Sequence, residues 1–242
     1  MKTAAAFAKR PLIPEGPDLS EPLLDCVVVE PKAPARAAVI WLHGLGADGH
    51  DFEPIVPELG LDPAAAVRFV FPHAPAIPVT VNGGFVMPAW YDIVDFDLNR
   101  RHDRAGLDRS RRQVVALIER ERARGIAAER IVLAGFSQGG AVAIDTAVRL
   151  PYSLGGLMAL STYMLFADEL EKVRRPEIRD LPVFIGHGTM DPVVAFQLGK
   201  EARKRFESWG SRVTWGQYPM AHAVCAQEIA DVGVWLADVL GD

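Results

Sequence analysis

Five short runs along the chain are apolar nearly throughout: 37–42 (AAVIWL), 67–71 (VRFVF), 131–134 (IVLA), 154–160 (LGGLMAL) and 181–186 (LPVFIG). A run without polar alternation is what a strand buried on both faces requires, and that is the signature of a parallel sheet covered by helices. A β-branched run at 26–30 (CVVVE) reads as an edge strand, and 213–218 (VTWGQY) reads as the last strand. Between the strands lie helical stretches. In one, Asp108 is the expected cap, Val114, Leu117 and Ile118 oppose Glu121, and Gly125 is the stop. A small, alanine-rich helix is expected over 141–147 and a closing helix near 224–240. Strands alternating with helices predict an α/β fold with a mostly parallel central sheet flanked by helices.

Two segments do not fit that pattern. Residues 1–22 carry Pro11, Pro14, Pro17 and Pro22 without periodicity and read as an extended arm, leaving 23–242 as a single α/β domain. The uncharged window 69–91 holds four prolines and two adjacent glycines, and beyond the strand at 67–71 it is expected to form a long loop without a clear element. Its Phe85, Met87, Trp90 and Tyr91 suit an apolar wall beside a substrate pocket, or else a proline-stiffened cover on the sheet.

Composition narrows the function classes. The 242 residues are half hydrophobic, and the net charge is −5 with Lys and Arg scattered among Asp and Glu. No basic stripe points to nucleic acid. The apolar patch at the start is too short for a signal peptide and the window 69–91 is too rich in proline to span a bilayer, so a cytoplasmic protein without stable membrane insertion is expected. Cys26 and Cys225 read as unpaired thiols of a reducing compartment. His43 and His50 share a loop but lack acidic or thiol ligands at metal spacing, so no metal and no organic cofactor are expected.

The chemistry centres on Gly135-Phe136-Ser137-Gln138-Gly139, which fits G-x-S-x-G between an apolar strand and a small-residue helix. In that context the serine stands exposed at the tip of a sharp turn. A packing turn with a helix-capping serine is the competing reading. A serine hydroxyl needs a base, and the base needs a group to orient it. Asp191 follows the strand at 181–186 and His222 follows the strand at 213–218, so the order is Ser, Asp, His, each past the end of a different strand. His187 is a rival base and Asp168 a rival acid, although Asp168 reads better as part of a solvated helix face. The oxyanion donors expected are the backbone N–H of Gln138, directly after the serine, and that of Leu45, in the glycine-rich loop after 37–42.

Six blocks, HGLGADGHDF, FPHAP with PVT, MPAWYDI, GFSQGGAVA, GHGTMDPVV and YPMAH, occur in that order. Together they closely resemble the phospholipase/carboxylesterase family over roughly residues 25 to 240. The resemblance implies an α/β-hydrolase fold without a large lid, a triad of Ser137, Asp191 and His222, and an oxyanion hole of Leu45 and Gln138. Ala223 departs from the serine often found after the histidine. The expected activity is that of a serine carboxylesterase acting through an acyl-enzyme on a small-molecule ester of short to medium acyl chain. A lysophospholipase or acyl-thioesterase with a long acyl groove is the alternative, and a non-catalytic binding module is a distant third. Monomer and homodimer both remain open.

Overall fold

The apolar runs become the strands of one sheet because each is covered on both sides. A computed structural model describes residues 23–95 and 102–241; the expected arm at 1–22 lies outside the described residues. The elements in chain order are β1 (Cys26–Val29), β2 (Ala37–Leu42), β3 (Val67–Pro72), β4 (Ala76–Val79), β5 (Phe85–Pro88), α1 (Arg104–Ala123), β6 (Ile131–Phe136), α2 (Gln138–Arg149), β7 (Gly156–Leu160), α3 (Ala167–Val173), β8 (Pro182–Gly188), α4 (Phe196–Ser208), β9 (Arg212–Tyr218) and α5 (Ala226–Leu240).

Seven strands form the main sheet in the order β1-β3-β2-β6-β7-β8-β9. Only β1 runs antiparallel, pairing Cys26 with Pro72 and Val29 with Phe69 at the edge. The remaining pairs are parallel, so the ends of β2, β6, β7, β8 and β9 open on one rim of the sheet. β2 shows the two-sided burial most clearly. Ala38, Ile40 and Leu42 face a core that includes Leu107, Val114 and Leu117 of α1 and Val142 of α2. Ala37, Val39 and Trp41 face Phe52 together with Val232, Trp235 and Leu236 of α5. Among the described residues no helix is long and apolar enough to cross a membrane, and both cysteines are free thiols.

Two sequence expectations need correction. α1 starts one turn earlier than expected: Asp103, not Asp108, is the cap, and its carboxylate accepts the N–H of Gly106 at 2.8 Å. Burial of Leu107, seven residues before Val114 on the same helix face, carries the helix back to that point. Asp108 instead pairs with Arg111 one turn along the same helix. The window 69–91 is not featureless either. After β3 it folds into an antiparallel ribbon, β4 with β5, in which Ala76 is opposite Pro88 and Val79 opposite Phe85. Proline is tolerated there because a two-stranded ribbon has free edges on both sides.

One buried group in α5 is out of balance. Glu228 is 1% exposed, neither carboxylate oxygen has a hydrogen-bond partner, and it lies against Gly186 of β8, where a Cβ would collide with it. Burial, reinforced by the nearby charge of Asp231, raises its pKa from 4.5 to about 8. An acid whose folded pKa is raised binds more protons in the folded than in the unfolded chain, so stability falls as pH rises from about 4.5 towards 8. Glu228→Gln is therefore expected to raise the melting temperature by several degrees at pH 8.5 and to change it little at pH 5. Thermal melts at the two pH values check this.

Candidate active site

The turn from β6 into α2 is sharp because glycine flanks it on both sides. A Cβ on Gly135 would lie 2.5 Å from the carbonyl carbon of Gly139, and one on Gly139 would lie 2.5 Å from the carbonyl oxygen of His43. Only bare backbone fits, so the end of β6, the start of α2 and the loop after β2 touch main chain to main chain. Ser137 stands at the apex at φ 52°, ψ −120°, in a left-handed region that costs a non-glycine residue on the order of 1–3 kcal/mol. Its N–H donates to the Leu160 carbonyl of the neighbouring strand at 2.9 Å. The serine sits at the N-cap position, yet its side chain makes no capping hydrogen bond. The hydroxyl is left for something else.

That partner is His222, whose Nε2 lies 2.9 Å from Ser137 Oγ. On the other side of the ring, Nδ1 is 2.7 Å from Asp191 Oδ2. The second carboxylate oxygen, Oδ1, accepts the N–H groups of Val193 and Val194, both at 2.8 Å. These bonds aim Oδ2 at the histidine. A carboxylate only accepts, so the ring proton sits on Nδ1 and the lone pair of Nε2 faces the serine. The Asp191 side chain is fully buried and that of His222 is partly exposed. Phe136 packs against the imidazole with ring centres 4.8 Å apart. Ser137, Asp191 and His222 come from the ends of β6, β8 and β9, and the rim of the parallel sheet is what gathers them.

The rivals have other roles. His187 is buried, its Nε2 bonds the Val194 carbonyl at 2.9 Å, and burial lowers its pKa; it braces the loop that carries Asp191. Asp168 lies on the surface and pairs with Arg205 at 2.9 Å.

Ser137 and His222 open into a cavity of about 280 Å³ that Leu45 and Gln138 also line. The Gln138 N–H sits in the first turn of α2, where no intrahelical acceptor exists. The Gln138 side chain bridges to the preceding wall, with Oε1 accepting the Trp90 N–H at 2.9 Å and Nε2 donating to the Tyr91 carbonyl at 2.7 Å. Of the four wall residues expected from the sequence, Tyr91 alone lines this cavity. Phe85 is 70% exposed on the ribbon. Met87 lies beside Gly46, one residue behind the lining. Trp90 is buried outright and is a brace, donating Nε1–H to the His43 carbonyl at 2.9 Å. Phe85 and Met87 are displaced because they pair into the β4–β5 ribbon, and Trp90, beyond the ribbon's end, packs into the core instead.

The wall is built instead by Phe136, Tyr163, Val193, Val194 and Leu198. Tyr91 and Tyr163 join their hydroxyls at 2.7 Å, and burial raises both pKa values, that of Tyr163 to about 12. Phe136 was visible in the motif as its variable residue, whereas Leu198 sits on α4, far along the chain from the serine. Among the described residues no group of three or more His, Cys, Asp or Glu is arranged to hold a metal ion.

A family model described as Phospholipase/Carboxylesterase matches residues 24–240. Acyl-protein thioesterase 1 of Neurospora crassa is 38% identical over 226 residues, covering 88% of this chain and 91% of that protein. Acyl-protein thioesterase 1 of Saccharomyces cerevisiae is 37% identical over 213 residues, covering 84% and 92%. The crystal structure of Zea mays acyl-protein thioesterase 2 superposes with a TM-score of 0.80 at 28% identity, covering 90% of this chain and 99% of that one. The fold is that of the α/β-hydrolases.

Replacing Ser137 by Ala leaves the turn intact, since the hydroxyl caps nothing, and is expected to lower ester turnover by about 10⁴–10⁶-fold. Asp191→Asn, which lets Nδ1 lose its proton, is expected to cost on the order of 10⁴. Steady-state hydrolysis of a nitrophenyl ester, with circular dichroism to show that each variant is folded, checks both.

Proposed function

Because this chain belongs to the phospholipase/carboxylesterase family and is thus a serine enzyme that hydrolyses ester bonds, we propose that it is an acyl-thioesterase that removes long acyl chains from cysteine thiols of acylated polypeptides. Its relatives named acyl-protein thioesterase favour this over the short- to medium-chain carboxylesterase expected from the sequence. The observation that carries the reading is the continuation of the site. The cavity at Ser137 shares His102 and Leu198 with a neighbouring open groove of about 730 Å³, whose walls combine Met164, Phe166 and Ala202 with the charged Glu169, Glu201 and Lys204. The two lie side by side and offer room of the size that buries an extended ligand.

The reaction follows from the geometry. Ser137 Oγ attacks the thioester carbonyl while its proton passes to His222 Nε2. Asp191 stabilises the imidazolium that forms. The carbonyl oxygen becomes an oxyanion held by the N–H groups of Leu45 and Gln138. Collapse breaks the C–S bond, and His222 returns the proton to the leaving sulfur. Water, deprotonated by His222, then attacks the acyl-serine and releases the carboxylic acid.

Each methylene fully buried against the apolar residues Leu198, Met164 and Phe166 is worth about 0.8 kcal/mol, or about fourfold in kcat/KM. Rates over an acyl-thioester series from acetyl to palmitoyl are expected to climb with chain length, and a maximum at acetyl or butyryl would return the short-chain carboxylesterase. Leu198→Trp, which narrows the passage between the cavities, is expected to depress palmitoyl turnover at least tenfold while sparing acetyl turnover.

A further inference from the structure

The two N–H groups assigned to the oxyanion belong to peptide units whose carbonyl ends are both held by buried side chains. The N–H of Leu45 shares its peptide group with the carbonyl of Gly44, and that oxygen lies 2.7 Å from His43 Nδ1. The N–H of Gln138 shares its peptide group with the carbonyl of Ser137, and that oxygen accepts the Thr162 hydroxyl at 2.5 Å. We propose that His43 and Thr162 are the positioning residues of the oxyanion hole, each fixing and polarising one donor through the far end of its peptide unit. The proposal rests on the reading of Ser137 as nucleophile with Leu45 and Gln138 as donors.

Elementary geometry makes the link. A peptide unit is planar and trans, so pinning the oxygen sets the direction of the N–H on the opposite side. A hydrogen bond accepted by the oxygen also draws electron density away from the nitrogen and strengthens the N–H as a donor. Among the described residues both carbonyls otherwise receive only long backbone bonds, from Ala47 at 3.3 Å to Gly44 and from Ala141 at 3.2 Å to Ser137. The side-chain donors are the shorter and stronger partners in each case.

Each clamp is built in. His43 Nε2 accepts the Ala74 N–H at 3.1 Å, which leaves the ring proton on Nδ1 and makes that nitrogen the donor to Gly44. The ring is buried and packs beside Trp90 with centres 5.2 Å apart. Thr162 is likewise buried. It reaches Ser137 because residue 140 is glycine: a Cβ there would lie 2.6 Å from Thr162 Cβ. The preceding Ser161, at φ 42°, turns the chain off the end of β7, with its own N–H anchored on the Gly186 carbonyl at 2.8 Å. The clamps lie just past the ends of β2 and β7, the strands on either side of the one that leads into the serine.

The test compares Thr162→Val, which keeps the shape and removes the hydroxyl, with Thr162→Ser, which keeps the hydroxyl. His43→Leu and His43→Asn form a second pair, because the amide of Asn places a donor near the position of Nδ1. A nitrophenyl acetate assay is used, so that acyl-chain preference plays no part, with active sites counted by a fluorophosphonate. Thr162→Val and His43→Leu are expected to lose on the order of tenfold in kcat per titrated site with KM unchanged. Ser and Asn are expected to restore most of it. Inhibition by a trifluoromethyl ketone, whose adduct carries the oxyanion, is expected to weaken by the same factor as kcat/KM. Wild-type kcat in labelled Thr162→Val, or equal losses in Val and Ser, would overturn the proposal. Wild-type enzyme that turns over the ester without taking up the phosphonate would overturn the nucleophile reading, and this proposal with it.

Discussion

The site depends on a contact between backbones. Gly135 and Gly139 let β6, α2 and the loop after β2 approach until a single methyl group would not fit between them. That approach holds Ser137 in a conformation it would not adopt alone, and it brings Gln138 and Leu45 to the lining of one cavity. The sheet supplies the rest of the geometry. Parallel strands end on one rim, so loops leaving β2, β6, β8 and β9 converge there although they are far apart in sequence. The strain at Ser137 is offset by bonds on both sides of it, from its N–H to Leu160 and from Thr162 to its carbonyl.

What could be read from the sequence was what depends on local pattern. The run at 37–42 is β2 residue for residue, and the apolar runs at 131–134, 154–160 and 181–186 each mark a strand of the sheet. Their continuous burial follows from being covered on both faces. Ser137, Asp191 and His222 were legible because each directly follows such a strand, and in the folded chain they form one hydrogen-bonded line. The start of α1 was hidden because Asp103 and Asp108 are equally good caps by residue type, and the burial of Leu107 selects the earlier one.

The pocket was harder. Phe85, Met87 and Trp90 share a short apolar segment with Tyr91, but the β4–β5 ribbon carries Phe85 into solvent and turns Trp90 into a brace. The actual wall takes Tyr163 from after β7, Val193 and Val194 from the Asp191 loop, and Leu198 from α4. No window of sequence contains that set. The parts played by His43 and Thr162 are further out of reach, since each acts on a peptide unit whose function appears only once the rim is assembled.

A thioester that passes its acyl group to Ser137 leaves an acyl-enzyme, and catching that intermediate is the most direct measurement. Enzyme mixed with a palmitoyl thioester, quenched in acid within the first turnover and digested, should show the acyl mass on the peptide that contains Ser137, and the mass should vanish in Ser137→Ala. An acyl mass on the peptide containing Cys225, or product formed in a full turnover with no acylated peptide at any time, would contradict it.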